Sequence, residues 1–327
     1  MVAENESLTL LQPAPEERLV GWLEEFYGKP VVITRREQLR HRDLSFVERL
    51  WIGDALPESL IYKLVLPPWD IEQDLHERVL QPSIAHTAQL FMSAHYGQMT
   101  AMFLEDLGKE SLLGRTVDAD FAADIGKELA KMHRSYSYRI EELQHLNILR
   151  ALRPSEYVDF LGNIIRLLGE WKLLRANDAA ELNALAMRLA DKLGGEPISI
   201  VHGDLYAENI LIRNDKVFII DWSWFTHIGV PAMDLASLTS NHFKNGSFFE
   251  WRDTVLDAYC FESGRKTEEV VAVLPYAELL SRVMFLNWLV VRRERGIMGT
   301  TVGPVDDLIP KIVDEVITRH KKIEPVV

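Results

Sequence analysis

The chain has 327 residues, 47% of them hydrophobic, with 36 basic and 49 acidic side chains and a net charge of −13. A field of that sign repels polyanions, so nucleic acid is not an expected partner, and the length is enough to bury one large or two modest cores. One cysteine, Cys260, excludes an intramolecular disulfide framework and reads as a small buried hydrophobe.

The N-terminal stretch MVAENESLTLLQPAPEER carries acids where a secretory leader would carry lysines. The longest apolar run, Leu279 to Val291, is interrupted by Arg282 and Asn287, too short and too polar to span a bilayer. A cytoplasmic protein without a membrane partner is expected, as a monomer or a homodimer. Up to Gly108, short β-branched and apolar runs predict strands at Val31–Thr34, Phe46–Ile52, Leu60–Leu66, Thr87–Ser93 and Met99–Glu105. Between the third and fourth, Ile71, Leu75, Val79 and Leu80 recur at helical spacing over Ile71–Gln81, and Pro82 stops the run.

Beyond Gly108 the texture turns helical. Asp118–Ser135 carries the stripe Phe121, Ile125, Leu129 and Met132 behind aspartate caps, and Ser155–Trp171 and Asp178–Leu193 continue the pattern. Ser247 with Glu250 has the form of a capping box, and Pro275 should kink or divide a helix over Thr267–Arg295. The expected class is α+β: a small five-stranded antiparallel lobe with one helix, residues 1–107, followed by a larger helical lobe, residues 108–327.

The stretch from Val201 to Asp221, VHGDLYAENILIRNDKVFIID, carries the chemistry. Asp204, two residues after His202, is placed to accept a proton from an attacking hydroxyl, while Asn209 and Asp221 offer hard oxygen ligands to magnesium. Lys63 breaks the apolar strand Leu60–Leu66 and needs a partner for its ammonium.

VHGDLYAENILI, followed by FIIDWSWF and then GVPAMDLASL, resembles the aminoglycoside phosphotransferase family, whose fold is that of the protein kinases. The matched features run in order from Val31 to at least Leu238. The resemblance implies Asp204 as catalytic base, Asn209 and Asp221 as magnesium ligands, and His202 and Asp234 as braces of the catalytic loop. It also implies that Lys63 contacts nucleotide phosphates and pairs with a glutamate on the following helix, with Glu77 the first choice and Glu72 the second. The segment Ala101–Gly108 aligns with the family's hinge, which sets the Leu104 carbonyl and the Asp106 amide against the base. Ser45, in the glycine-free hairpin Arg40–Ser45, is the candidate donor to a phosphate.

Three departures argue against a protein substrate: that glycine-free hairpin, Trp222-Ser223 where protein kinases carry Phe-Gly, and no lysine two residues after Asp204. The expected function is a magnesium-requiring transfer of the γ-phosphate of ATP, or GTP, to a hydroxyl of a small molecule, with or without positive charge. A choline, amino-alcohol or sugar kinase is an alternative within the superfamily, and an inactive nucleotide-binding regulatory protein is one outside catalysis. Acids such as Glu141, Asp159 and Asp257, with Trp171, Trp251 and Trp288, are the candidates for holding an amine by charge and cation–π attraction, weighed against solvated faces and core.

Overall fold

The computed structural model describes residues 11–53, 57–175 and 177–323, so the segment 1–10, read above for a leader, lies outside the described residues. The chain forms two compact units, Met1–Glu110 with Leu211–Trp224, and Ser111–Ile210 with Phe225–Val327. The single break expected after residue 107 is therefore corrected: the hairpin that follows Ile210 belongs with the sheet. Hydrogen bonds from Ile212 N to Glu110 O and from Ile219 N to His86 O hold it there.

In the first unit, helix α1 (Glu16–Tyr27) buries Leu19, Trp22 and Leu23 and ends at Gly28, whose left-handed φ of 63° closes the last turn. The sequence reading did not anticipate this helix. Its apolar face joins Leu50, Leu60, Tyr62, Leu64 and Phe103 in one core. Strands β1 (Val32–His41), β2 (Ser45–Gly53), β3 (Ser59–Val65), β4 (Leu90–Tyr96) and β5 (Met99–Glu105) form an antiparallel sheet in the order β1-β2-β3-β5-β4.

β1 runs well past the expected Thr34. It is an edge strand, so its polar continuation need not be buried. Arg36 grips Glu48 on β2 through two bonds of 2.9 and 2.7 Å, and Arg35 lies 4.2 Å over the Trp51 ring. The register of β1 on β2 shifts between Gln38 and Arg40, a bulge that re-aims the end of the strand. β4, the other edge, begins later than expected.

The helix expected over Ile71–Gln81 is corrected to a composite. A 3-10 turn (Trp69–Ile71) passes through one α turn (Glu72–Asp74) into a π turn (Leu75–Val79), which closes with Leu80 N on Leu75 O. Each change of pitch rotates the face presented by the following residues.

In the second unit, α2 (Ala119–Ser137) starts at Asp118, whose carboxylate accepts from Phe121 N at 2.9 Å. α3 (Tyr157–Glu170) and α4 (Asp178–Leu193) follow, the latter burying Leu182, Leu185, Leu189 and Leu193. Short β6 (Ser199–Val201) leads into the loop bearing Asp204, and β7 (Ile210–Arg213) and β8 (Lys216–Ile219) make the hairpin assigned to the first unit from Leu211 on. β9 (His227–Gly229) pairs antiparallel with β6.

Then come α5 (Ala232–Thr239), α6 (Arg252–Ser263), α7 (Thr267–Glu294) and α8 (Val305–Ile323). α2 packs closely on α6. Gly126 permits the approach, since a Cβ there would sit 2.4 Å from the Val255 carbonyl oxygen. α7 passes through Pro275 as one element, so the expected division does not occur. Val270 and Leu274 before the proline and Leu279, Leu280 and Val283 after it are all buried. Ser247 and Glu250 lie in a 3-10 segment, Gly246–Trp251, whose start has no side-chain cap, so the expected capping box is absent. Cys260 is buried, and among the described residues no helix is long and apolar enough to cross a membrane.

Candidate active site

In the first unit, antiparallel pairing sets Lys63 of β3 opposite Val47 and Met102, with its ammonium buried. That ammonium donates to Asp221 Oδ1 at 2.6 Å and is paired with the Glu72 carboxylate. Burial alone would lower its pKa, but Asp221 and Glu72 outweigh burial and raise it, so the lysine stays charged. The partner is Glu72, not Glu77. The π turn leaves Glu77 exposed, accepting from Gln73 Nε2 at 3.0 Å and Ser93 Oγ at 2.8 Å.

Asp221 follows β8 with a φ of 63°, a left-handed conformation costly for a residue with a Cβ. Its Oδ2 accepts from Arg40 Nη1 at 3.0 Å. Burial would raise its pKa, yet Lys63 and Arg40 hold it well below the usual carboxylate range. Trp222 is fully buried beside it, its indole N–H donating to Ile219 O at 3.1 Å.

Lys63, Glu72, Asp221 and Arg40 share the wall of a cavity of about 270 Å³. Its remaining lining is largely apolar, including Val47, Ile61, Ala88, Leu104, Leu211 and Ile220, a slot with the character of a site for a flat base. Leu104 thus faces the cavity, while Ser45 opens β2 and is not among the lining residues. Asp106 fixes the chain after β5 with its carboxylate, which accepts from Arg49 at 2.6 and 2.9 Å, Ser59 Oγ at 2.8 Å and Gly108 N at 2.9 Å. The Arg49–Asp106 pair had no counterpart in the sequence reading.

In the second unit, the loop after β6 turns on Gly203, whose φ is 79° and where a Cβ would sit 2.5 Å from the Phe225 carbonyl oxygen. Buried Asp234 on α5 anchors this turn by accepting from His202 N and Gly203 N, each at 2.9 Å, and it lies 3.2 Å from His133 Nε2. Burial would raise its pKa, and His133 with the loop outweighs it, so Asp234 is an anion. His133, carried by α2 with Tyr259 OH 3.1 Å from its Nδ1, was not singled out from sequence because nothing local marks it.

Asp204 N donates to His202 Nδ1 at 3.2 Å, and Asn209 Nδ2 donates to the Asp204 carbonyl oxygen at 2.8 Å. The Asn209 amide nitrogen is committed to the loop, which leaves Oδ1 as its donor oxygen for a cation. Lys244 brings an ammonium 3.9 Å from Asp204 Oδ2 and 2.7 Å from Glu208. This loop has Tyr206 two residues after Asp204, and its nearby cation, Lys244, comes from the segment after α5.

A small polar recess of about 50 Å³ opens beside the loop, lined by Tyr206, Ser237, Ser240, His242, Ser281 and Arg282 among others. Glu141, Asp159 and Asp257 are exposed helix positions and take no part in it. The Arg293 guanidinium lies 4.3 Å from the centroid of the Trp171 ring and the Arg292 guanidinium 4.6 Å from that of Trp288, so each ring already has a cation over one face.

The model of the phosphotransferase enzyme family matches residues 87–271, more than half of the chain. Protein LicA of Haemophilus influenzae is 30% identical over 100 residues, which are 29% of this chain and 36% of that protein, so the match spans only about a third of the relative's length. Among solved structures, spectinomycin phosphotransferase APH(9)-Ia in complex with ADP and spectinomycin superposes with a TM-score of 0.58 at 15% identity, covering 95% of this chain and 99% of that one. Choline kinase from Cryptosporidium parvum gives 0.61 at 9% identity, covering 94% and 96%. Plasmodium vivax ethanolamine kinase gives 0.60 at 14% identity, covering 88% and 82%. With the family match covering residues 87–271, including Ala101–Gly108 and the loop bearing Asp204, the chain belongs to the phosphotransferase enzyme family and has the kinase-like fold.

Proposed function

We propose that the protein transfers the γ-phosphoryl group of ATP or GTP to a hydroxyl of a small molecule, with magnesium as the required ion. The observation that carries this reading is the Glu72–Lys63–Asp221 chain, with Glu72 and Lys63 buried, in the wall of an apolar cavity. A lysine held charged by two carboxylates, beside a slot fit for a base, is the constellation that binds a nucleotide's phosphates. A regulatory protein that had abandoned turnover would have no need to keep Asp204, Asn209 and Asp221 as well.

The donor set fits magnesium: an ionised Asp221 and the Oδ1 of Asn209 are hard oxygens, and one or two such protein ligands with phosphate oxygens complete its usual shell. When bound, the ion neutralises charge on the phosphates. Lys63 adds a fixed positive charge to the same task. Asp204 accepts the proton of the acceptor hydroxyl as that oxygen attacks phosphorus and the bond to the leaving diphosphate breaks. His202, Asp234 and Asn209 keep the Asp204 backbone fixed, so that little reorganisation accompanies the step. The recess at Tyr206 is the place we assign to the acceptor, and its hydroxyl-rich wall suits a polyol or an amino alcohol.

The test is nucleotide consumption by the purified protein with MgATP and MgGTP against aminoglycosides, macrolides, amino alcohols and sugars. A stimulated rate with one class identifies the acceptor. Nucleotide binding by calorimetry with no stimulation by any class would favour the regulatory reading.

A further inference from the structure

The hairpin joining β1 and β2 has no glycine, so it lacks the pliable main chain with which a glycine-rich loop folds over phosphates. What the structure sets there is a guanidinium. The bulge between Gln38 and Arg40 interrupts the alternation of β1, with the result that consecutive residues, Leu39 and Arg40, both line the cavity. Arg40 is partly buried and donates to Asp221 Oδ2 at 3.0 Å, on the carboxylate whose other oxygen holds Lys63. Asp221 therefore has both oxygens engaged by cations, one from each of two strands.

Resting on the phosphotransferase reading above, we infer that Arg40 is a phosphate clamp that replaces the glycine-rich loop: its guanidinium, held at the cavity wall by Asp221, is the group that meets the nucleotide's phosphates. The geometry favours this role. Arg40 reaches the Asp221 carboxylate from the edge strand at 3.0 Å and is partly exposed, whereas Lys63 is buried between Asp221 and Glu72. A guanidinium offers a planar fork that meets phosphate through two parallel bonds, a geometry an ammonium cannot match.

The experiment is calorimetric binding of MgATP, MgADP and adenosine to the full chain and to Arg40→Ala, Arg40→Gln and Arg40→Lys, each checked for wild-type circular dichroism and melting. The clamp predicts MgATP and MgADP affinities about ten- to hundred-fold weaker in Arg40→Ala and Arg40→Gln, the loss expected for a charge-assisted contact, with adenosine unchanged. Arg40→Lys should fall between, because it keeps the charge and loses the fork. Wild-type affinity for MgATP in both neutral variants would overturn the clamp, and so would an equal loss for adenosine, which marks a general distortion of the cavity. If the wild-type chain binds none of the three, the nucleotide reading fails first and the clamp falls with it.

Discussion

Replacing Glu72 and Glu77 in turn separates two carboxylates that sequence alone could not rank. The Lys63 ammonium is 7% exposed and Glu72 is 3% exposed, so solvent screening does little to weaken their attraction. Removing one member of a buried pair costs about 3–5 kcal/mol when the survivor is left without a partner. Lys63 keeps Asp221 at 2.6 Å, and glutamine at position 72 can still accept a hydrogen bond, so Glu72→Gln should lose less, about 2 kcal/mol, near the worth of one charge-assisted bond. Glu77 is exposed and bonds only neutral groups, so Glu77→Gln should stay within about 0.5 kcal/mol of the parent. Urea denaturation followed by tryptophan fluorescence measures both, and MgATP calorimetry should show weaker binding for Glu72→Gln alone. Equal destabilisation by the two variants, or a loss under 0.5 kcal/mol at position 72, would refute the assignment of Glu72 as the anchor.

Asp204→Asn should leave nucleotide binding by calorimetry unchanged while lowering turnover about 10² to 10⁴-fold, the range of a general-base contribution, and a near-normal rate would remove Asp204 from that role. Asp234→Ala strands two N–H donors, that of buried His202 and that of partly buried Gly203, at about 1–3 kcal/mol each. Denaturation should therefore show a loss of roughly 2–6 kcal/mol, and a loss below 1 would contradict the anchoring described. His227 is buried, and burial followed by the nearby Arg150 lowers its pKa to about 4 from an unfolded value of 6.5. Its contribution is thus complete above pH 6.5 and is lost as pH falls from there towards 4, amounting to about 3 kcal/mol. His227→Gln should flatten stability over that window, and an unchanged pH profile would count against this histidine as its source.

Much of the second unit was legible because its signals are local. The stripe of α4, from Leu182 to Leu193, needs only a 3.6-residue period, and Asp118 announces α2 through a cap that the structure confirms at 2.9 Å. The loop between His202 and Asn209 stands out in the sequence for a different reason, since its residue types are those that the proposed phosphoryl transfer needs. What escaped depended on pitch or on distant partners. Glu77 is the sequence's first choice over Glu72 because it directly precedes the core positions Val79 and Leu80, as the family's glutamate tends to, and the passage from 3-10 to α to π turn leaves that carboxylate outward. The continuation of β1 through Arg35-Arg36-Glu37-Gln38 reads as loop until its neighbour is known to cover only one edge. Lys244 and His133 act on the loop from elements remote in sequence, and no spacing rule links them to Asp204 or Asp234.

Trp222 bears on how such an enzyme is controlled. Turning the segment after Asp221 inside out, as a regulatory inversion would require, means drawing this fully buried indole into water and breaking its bond to the Ile219 carbonyl. An indole buries up to about 250 Å², which at about 25 cal/mol per Å² corresponds to about 6 kcal/mol, so the inverted form would hold roughly one molecule in ten thousand. On that arithmetic the buried indole acts as a lock on the segment after Asp221, and an inversion there is a costly route for any regulator to use.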